Sequence, residues 1–229
     1  MTEKLSPTAS DRGRWPDGKI PKRRWIVIQA LAYSELSEQC NILLLASDRL
    51  EREAVDGPTG EPPDVASWTR TIWLDVQSIL TAYSAITHLL WPTPHPSRPK
   101  MERDIAVARG VLVRRRLGVT SSKPVISRHA RNAFEHTDER LDDWVLEQEW
   151  PEDLPPEVPR AWSVSRYPPE VEPRGYSDMG FRYLNIRTFD IRIGRDKVNL
   201  LKIRAFAEKL LAKIPNSLTV QWEETEFSH

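Results

Sequence analysis

The sequence predicts a mainly α protein: an up-and-down bundle of four helices, then a small β-hairpin and a final helix. Two observations carry this prediction. Apolar residues recur at steps of three and four over four long segments, which is typical of helices with one buried face. After residue 150 the pattern changes to clustered prolines and then to short alternating apolar stretches, which favour strands.

The first three helices are bounded by turn-forming residues. They are predicted at about 25–55, 62–90 and 100–117, ended by a Gly-Pro pair, by a run of prolines and by Gly118, respectively. The single cysteine, Cys40, lies in the first helix and is expected to be a packed core residue. It excludes an intramolecular disulfide and a cysteine-cluster metal site. The second helix carries an apolar stripe that should be buried: Trp68, Ile72, Val76, Ile79, Tyr83, Ile86 and Leu90.

The fourth helix is predicted at 127–148 from a further apolar stripe. Beyond it, seven of the 19 prolines fall within 151–173, too many for a helix or a central strand, so an extended connection is expected there. A hairpin at 181–193 and a helix at about 199–213 follow. The predicted organisation is a disordered arm (1–22), the helical bundle (23–150), a Pro-rich connection (151–178), the hairpin plus helix (179–214) and a C-terminal tail (215–229).

Composition limits the classes of function. The 229 residues have a formal net charge of zero, which excludes a protein that binds nucleic acid over its whole surface, so any polyanion site must be local. The N-terminal residues lack an apolar signal core, and the longest apolar run, 42–46, is too short to cross a bilayer. We therefore expect a soluble cytoplasmic protein without membrane contact.

Charge divides sharply within the bundle. Residues 105–134 contain no acid, whereas residues 135–149 contain seven acids and a single arginine. A basic stretch of this kind suits a polyanion such as RNA, but charge runs also form ordinary solvated helix faces. Both interpretations stay open at this point. The candidate RNA-binding residues in or beside this stretch are Arg114, Arg115, Arg116, Lys123 and Arg128.

The basic stretch leads into the motif Arg131-Asn132-Ala133-Phe134-Glu135-His136. At about 100° per residue, Arg131 and His136 flank the side of the predicted helix that faces away from its apolar stripe. Neither residue is needed for the core. Two copies of this surface, facing each other across a dimer, would bring the groups together more easily than one. Arg131 and Glu135 are also i,i+4 neighbours, so a purely structural role is the alternative.

The string from Arg131 to Trp144, RNAFEHTDERLDDW, resembles the signature helix of HEPN proteins, the higher-eukaryote and prokaryote nucleotide-binding superfamily. Its members carry Arg-[Asn/Asp/His]-x-x-x-His. The segment 72–83 is similar to the preceding helix of bacterial members. The resemblance covers about 25–148, and it implies a four- or five-helix bundle that dimerises.

For mechanism, the resemblance implies a metal-independent endoribonuclease without a cofactor, in a toxin or anti-phage defence role. His136 would be the general acid or base, Arg131 would stabilise the phosphorane, and Asn132 would orient a partner or the phosphate. Partners would be RNA, a second copy and an antitoxin or defence-complex protein. Asp138 replaces the tyrosine of antitoxin-modified subfamilies, so tyrosine modification is not expected. The alternative is a catalytically silent dimerisation module in a larger complex.

Overall fold

The structure, a computed structural model, describes residues 22–57, 62–120, 146, 160–165, 180–193 and 196–215. This part of the chain is mostly helical, with four helices and a small four-stranded sheet. Most of the predicted N-terminal arm, C-terminal tail and helix 127–148 lies outside the described residues.

Helices α1 (Lys22–Asp56) and α2 (Pro62–Leu90) form an antiparallel pair. Two contacts fix their direction: the Trp68 indole N–H donates to the Glu53 carbonyl at 3.2 Å, and Arg49 forms an ion pair with Asp75. Gly57 leaves α1 with φ of 62°, a left-handed conformation that glycine adopts without strain. All seven residues of the predicted α2 stripe are buried, which confirms that prediction.

Helix α3 (Lys100–Arg116) contacts both α1 and α2, and its predicted bounds are confirmed. A Schellman motif closes it: the Val119 N–H donates to the Arg114 carbonyl at 2.8 Å, and the Gly118 N–H donates to the Arg115 carbonyl at 3.1 Å. Gly118 has φ of 57°, so the predicted stop at this glycine is also confirmed.

Four strands follow, β1 (Arg160–Ser165), β2 (Gly180–Asn185), β3 (Asp190–Ile193) and β4 (Asp196–Asn199), in the order β1-β2-β3-β4. Strand β1 is parallel to β2, and the other pairs are antiparallel. The predicted hairpin is therefore the β2–β3 part of a larger sheet.

Strand β1 corrects the expectation of a plain connection over 151–178. The prolines of this region lie before residue 160 and after residue 165, which leaves a proline-free stretch able to donate its backbone N–H groups. Because β1 has a single neighbour among the described strands, it is an edge strand, the position that Pro-rich flanks tolerate.

Helix α4 (Leu200–Leu211) begins at Asn199, whose side chain accepts a hydrogen bond from the Lys202 N–H at 3.1 Å. Its buried residues join the core of the α1–α2 pair and of one sheet face, on which Leu184, Ile191 and Val198 are paired across neighbouring strands. The predicted helix at about 199–213 is confirmed. A single continuous core therefore holds helices and sheet together.

Candidate nucleic-acid interface

The catalytic residues predicted from the sequence, Arg131, Asn132 and His136, lie outside the described residues, as do Lys123 and Arg128. The structure does describe the other three predicted RNA-binding residues, Arg114, Arg115 and Arg116, which form the last turn of α3. From this turn the chain continues toward the motif, so the site is built here from the end of α3.

Arg114 joins α3 to the end of α2. Its Nη1 donates to the Leu90 carbonyl, one of the terminal carbonyls of α2 that have no partner within the helix. The guanidinium carbon lies 5.7 Å from the centre of the Trp91 ring, within cation–π range. Partial burial lowers the pKa of Arg114. Much of this side chain is therefore occupied with packing.

Arg116 joins α3 to the beginning of α1. Its Nη1 donates to Oε1 of the fully buried Gln29 at 3.1 Å, and its side chain also hydrogen bonds to Tyr33. Burial raises the pKa of the Tyr33 hydroxyl, and the neighbouring Arg116 partly offsets that rise. Arg116 remains exposed at the surface, so it can serve the interface between helices and still meet solvent.

Arg115 differs from both neighbours. Its side chain is exposed, and within the described part of the chain it takes part in no hydrogen bond or ion pair. Of the three predicted RNA-binding arginines, Arg115 is thus the one whose guanidinium is available without loss of a packing contact. Neither simple interpretation of the charge run, a ligand site or a solvated face, describes all three arginines.

The end of α4 reaches the same place, because Lys213 donates from Nζ to the Gly118 carbonyl at 3.2 Å. The start of α1 and the ends of α2, α3 and α4 therefore meet at one end of the molecule. We call this end the basic pole and define it by residues 22–34, 84–91, 105–120 and 209–215. These segments contain no Asp or Glu. The exposed cations of the basic pole are Arg23, Arg24, Arg115, Arg116, Lys209 and Lys213.

Sequence reasoning missed the α1 and α4 members of the basic pole, since they lie far from the motif along the chain. The sequence nevertheless contained a signal that could have identified these members. Residues 76–101 and 105–134 are both free of acid, and so are the first residues of α1. Only the packing of the helix ends against one another shows that the described parts of these stretches meet at one end of the molecule.

The ion pairs among the described residues lie outside the segments of the basic pole, although Glu208 directly precedes Lys209. Asp75 is almost fully buried, and its Oδ1 accepts hydrogen bonds from Nε and Nη2 of Arg49. Arg204 of α4 binds carboxylates of α1 and α4, at 2.8 Å from Asp48, 2.6 Å from Glu51 and 2.9 Å from Glu208. The hydrogen bond that Arg204 donates to Glu208 and the charges of Glu51 and Asp48 raise the pKa of Arg204 against a smaller effect of burial. These pairs join α1 to α2 and α4.

Two further findings concern ligands and membranes. Across the described ranges, no three His, Cys, Asp or Glu side chains converge in a way that could hold a metal ion. Within the same ranges, every helix is too short or too polar to pass through a bilayer.

No family model matches the chain, and neither a curated protein nor a solved structure is similar enough to count as a match. The resemblance to HEPN proteins is therefore carried by the sequence motif alone.

Proposed function

We propose that this protein is a metal-independent endoribonuclease of the HEPN type, acting as a homodimer in a toxin or anti-phage defence role. The observation that carries the proposal is the motif with Arg131, Asn132 and His136, which is preceded by a stretch of six cations without one acid. A mostly helical fold agrees with the architecture that the resemblance implies, and the basic pole offers a surface to which an RNA could be attracted.

The residue types suit cleavage by the RNA's own 2′-hydroxyl. One histidine takes the proton of this hydroxyl, the hydroxyl oxygen attacks the adjacent phosphorus, and the bond to the 5′-oxygen breaks as that oxygen receives a proton from the imidazolium or from water. The products are a 2′,3′-cyclic phosphate and a 5′-hydroxyl. His136 exchanges protons near neutral pH. Arg131 stays charged and can fork onto the phosphorane oxygens, while Asn132 orients the phosphate or a partner side chain.

The experiment that tests this proposal compares wild-type protein with His136→Ala on labelled RNA. Cleavage should fall about 10²–10⁴-fold, the usual contribution of a positioned acid or base. His95→Ala is the matched control, because His95 is exposed on the loop between α2 and α3 and should leave cleavage unchanged. Wild-type cleavage should persist in EDTA and leave cyclic phosphate ends. Toxicity in cells that is undiminished in His136→Ala would contradict the proposal.

A second candidate is the catalytically silent dimerisation module. The observation that favours it is a set of exposed apolar residues on one side of α1, interrupted by the exposed Glu38: Val27, Leu31 and Leu45 are 54%, 64% and 60% exposed. These residues lie within about 40° of one another around the helix, so a second copy could cover them together. Leu31→Glu combined with Leu45→Glu should then dissociate a dimer in sedimentation experiments, while RNA stays intact with wild-type protein.

A further inference from the structure

We propose that the basic pole binds the sugar-phosphate backbone of RNA, with Arg23 and Arg24 of α1 and Lys209 and Lys213 of α4 as contacts in addition to the end of α3. This inference rests on the proposed function in one respect, that RNA is the ligand. Binding and cleavage can nevertheless be measured separately, so each can fail without the other.

The first support is geometric. Three hydrogen bonds bring the parts of the basic pole together: Arg114 to the Leu90 carbonyl, Arg116 to Gln29, and Lys213 to the Gly118 carbonyl. They join residues that are 24, 87 and 95 positions apart. Six exposed cations from three helices consequently share one end of a protein whose overall formal charge is zero.

The second support is that the described segments of the basic pole contain cations but no acidic residues. Elsewhere in this chain, cations lie beside acids, as Arg204 does beside Asp48, Glu51 and Glu208. The segments of the basic pole themselves contain no acid; Glu35 and Glu208 directly flank them, and Glu208 is bound to Arg204. A patch of a single sign creates a local field that attracts polyanions, although the net charge of the whole chain does not.

The third support comes from the direction of α1. A helix carries partial positive charge at its N-terminus, where acidic residues are favourable and basic ones are not. Helix α1 reverses this rule: it begins with Lys22, Arg23 and Arg24, has no acid in its first turn, and has no basic residue in its last turn. Local rules are typically broken where function requires it. The positive helix terminus and the two exposed arginines together favour an anionic ligand at this point.

The end of α3 shows why dipole compensation does not explain the whole basic pole. Cations in the last turns of α3 and α4 agree with the helix dipole and would be expected in any protein. Arg23 and Arg24 have no such explanation. They are therefore the most informative residues to change, and both are exposed, so their removal should leave the fold intact.

RNA fits the basic pole better than an acidic protein partner, for two reasons. Arginines, whose planar guanidinium forks onto phosphate oxygens, provide four of the six exposed cations. Directly beyond Gly118, the chain continues without an acid through Lys123 and Arg128 to the motif at Arg131. A strand bound along the basic pole would therefore lie at the end of α3 from which the chain continues toward the proposed catalytic residues.

The test is a binding titration with a fluorescein-labelled 20-nucleotide RNA whose 2′-hydroxyls are all methylated, so that it cannot be cleaved by 2′-hydroxyl attack. Fluorescence anisotropy gives Kd at several salt concentrations. Arg23→Ala with Arg24→Ala should weaken binding about tenfold or more at 0.1 M salt. It should also reduce the slope of log K against log salt by about 1.4, since each lost contact to a single strand removes about 0.7.

The matched control is Arg52→Ala with Arg70→Ala. It also removes two exposed arginines, but Arg52 lies about 42 Å from Arg24 along α1 at 1.5 Å per residue. This control should bind as the wild type does. An equal loss in both variants would show an effect of net charge alone and would overturn the proposal. If circular dichroism shows that the α1 variant does not fold, Lys209→Ala is used instead. Lys209 is another exposed residue of the basic pole, and its replacement should also weaken binding of the methylated RNA.

Two comparisons separate this inference from its alternatives. Polyglutamate that displaces the RNA as effectively as unlabelled RNA does would assign the basic pole to an acidic protein instead. If the basic pole binds methylated RNA but natural RNA stays intact, the nuclease proposal fails and the binding proposal stands. If natural RNA is cleaved but Arg23→Ala with Arg24→Ala binds normally, the binding proposal fails and the nuclease stands.

Discussion

Cys40 lies in the middle of α1 with its side chain fully buried, as the sequence predicted for a lone cysteine on an apolar helix. Burial raises the pKa of this thiol from its ordinary value of 9.0 to about 12, because the thiolate loses its hydration. The thiolate is the reactive form of cysteine, so the folded protein should protect this group.

We expect Cys40 to react with Ellman's reagent at pH 8 only as fast as the protein unfolds, and rapidly in 6 M urea. The same pKa shift sets a pH dependence. The free energy of unfolding should be insensitive to this group below pH 9 and should decrease between pH 9 and 12, where the unfolded state ionises first. Cys40→Ala should remove that decrease. Rapid labelling of the native protein at pH 8 would contradict the buried position.

For Gly110, we predict that replacement by alanine lowers stability, which is the opposite of the usual effect in a helix interior. In a helix interior, Gly→Ala ordinarily stabilises, by about 0.5–1 kcal/mol. Here the added Cβ would lie 2.5 Å from Pro92 Cδ and 2.9 Å from the Leu90 carbonyl oxygen. Gly110→Ala should therefore destabilise the protein by about 1–3 kcal/mol in urea unfolding, as overpacking does. Val107→Ala on the exposed side of α3 is the control, with a change within about 0.5 kcal/mol. A more stable Gly110→Ala would show that α3 can move away from α2.

The end of α3 shows how one element distributes different tasks over neighbouring residues. Arg114 and Arg116 attach the helix to α2 and α1, whereas Arg115 meets solvent. A helix turns by about 100° per residue, so three consecutive arginines necessarily point in different directions. The sequence marks the run as basic, and the neighbouring helices decide which member is free to meet a ligand.

This division predicts separable effects of alanine substitutions. Arg114→Ala should lower the free energy of unfolding by about 1–2 kcal/mol, because it leaves the Leu90 carbonyl without its donor. Arg115→Ala should change stability by less than about 0.5 kcal/mol and reduce the salt dependence of RNA binding instead. Urea unfolding measures the free energy of unfolding, and the methylated-RNA titration measures the salt dependence of binding. Equal stability of both variants would assign Arg114, like Arg115, to a solvated surface.

At the level of the whole molecule, the sequence predicts that the proposed catalytic groups flank one helix and would converge more easily between two copies. If each site takes His136 from one protomer and Arg131 from its partner, a heterodimer of His136→Ala and Arg131→Ala subunits contains one site with both changes and one intact site. Mixing the two inactive variants should therefore restore cleavage. Restoration should require subunit exchange, so chemically cross-linked parents should remain inactive after mixing. Inactivity of fully exchanged subunits would place both groups on one protomer.

Helix positions and burial of individual stripes were predictable from the sequence. Trp68 and Leu90 of α2 are buried and Gly118 ends α3 as expected, because a period near 3.6 and a left-handed glycine are properties of the local chain. Strand β1 was not predicted. Its pairing with β2 is a contact between residues about 20 positions apart, and a short edge strand between prolines has little local signal.

For the candidate site, too, one part was predictable from the sequence and another part was not. The sequence by itself determined the motif with Arg131 and His136 and the basic character of the chain that leads to it. Tertiary structure decided that Arg24 and Lys213 lie at the same end of the molecule as Arg115, and that Arg114 is largely occupied by a helix end. The physical reason is distance along the chain. Charge and periodicity are properties of short stretches of sequence. A surface formed by several helix ends exists only after the core has brought those ends together.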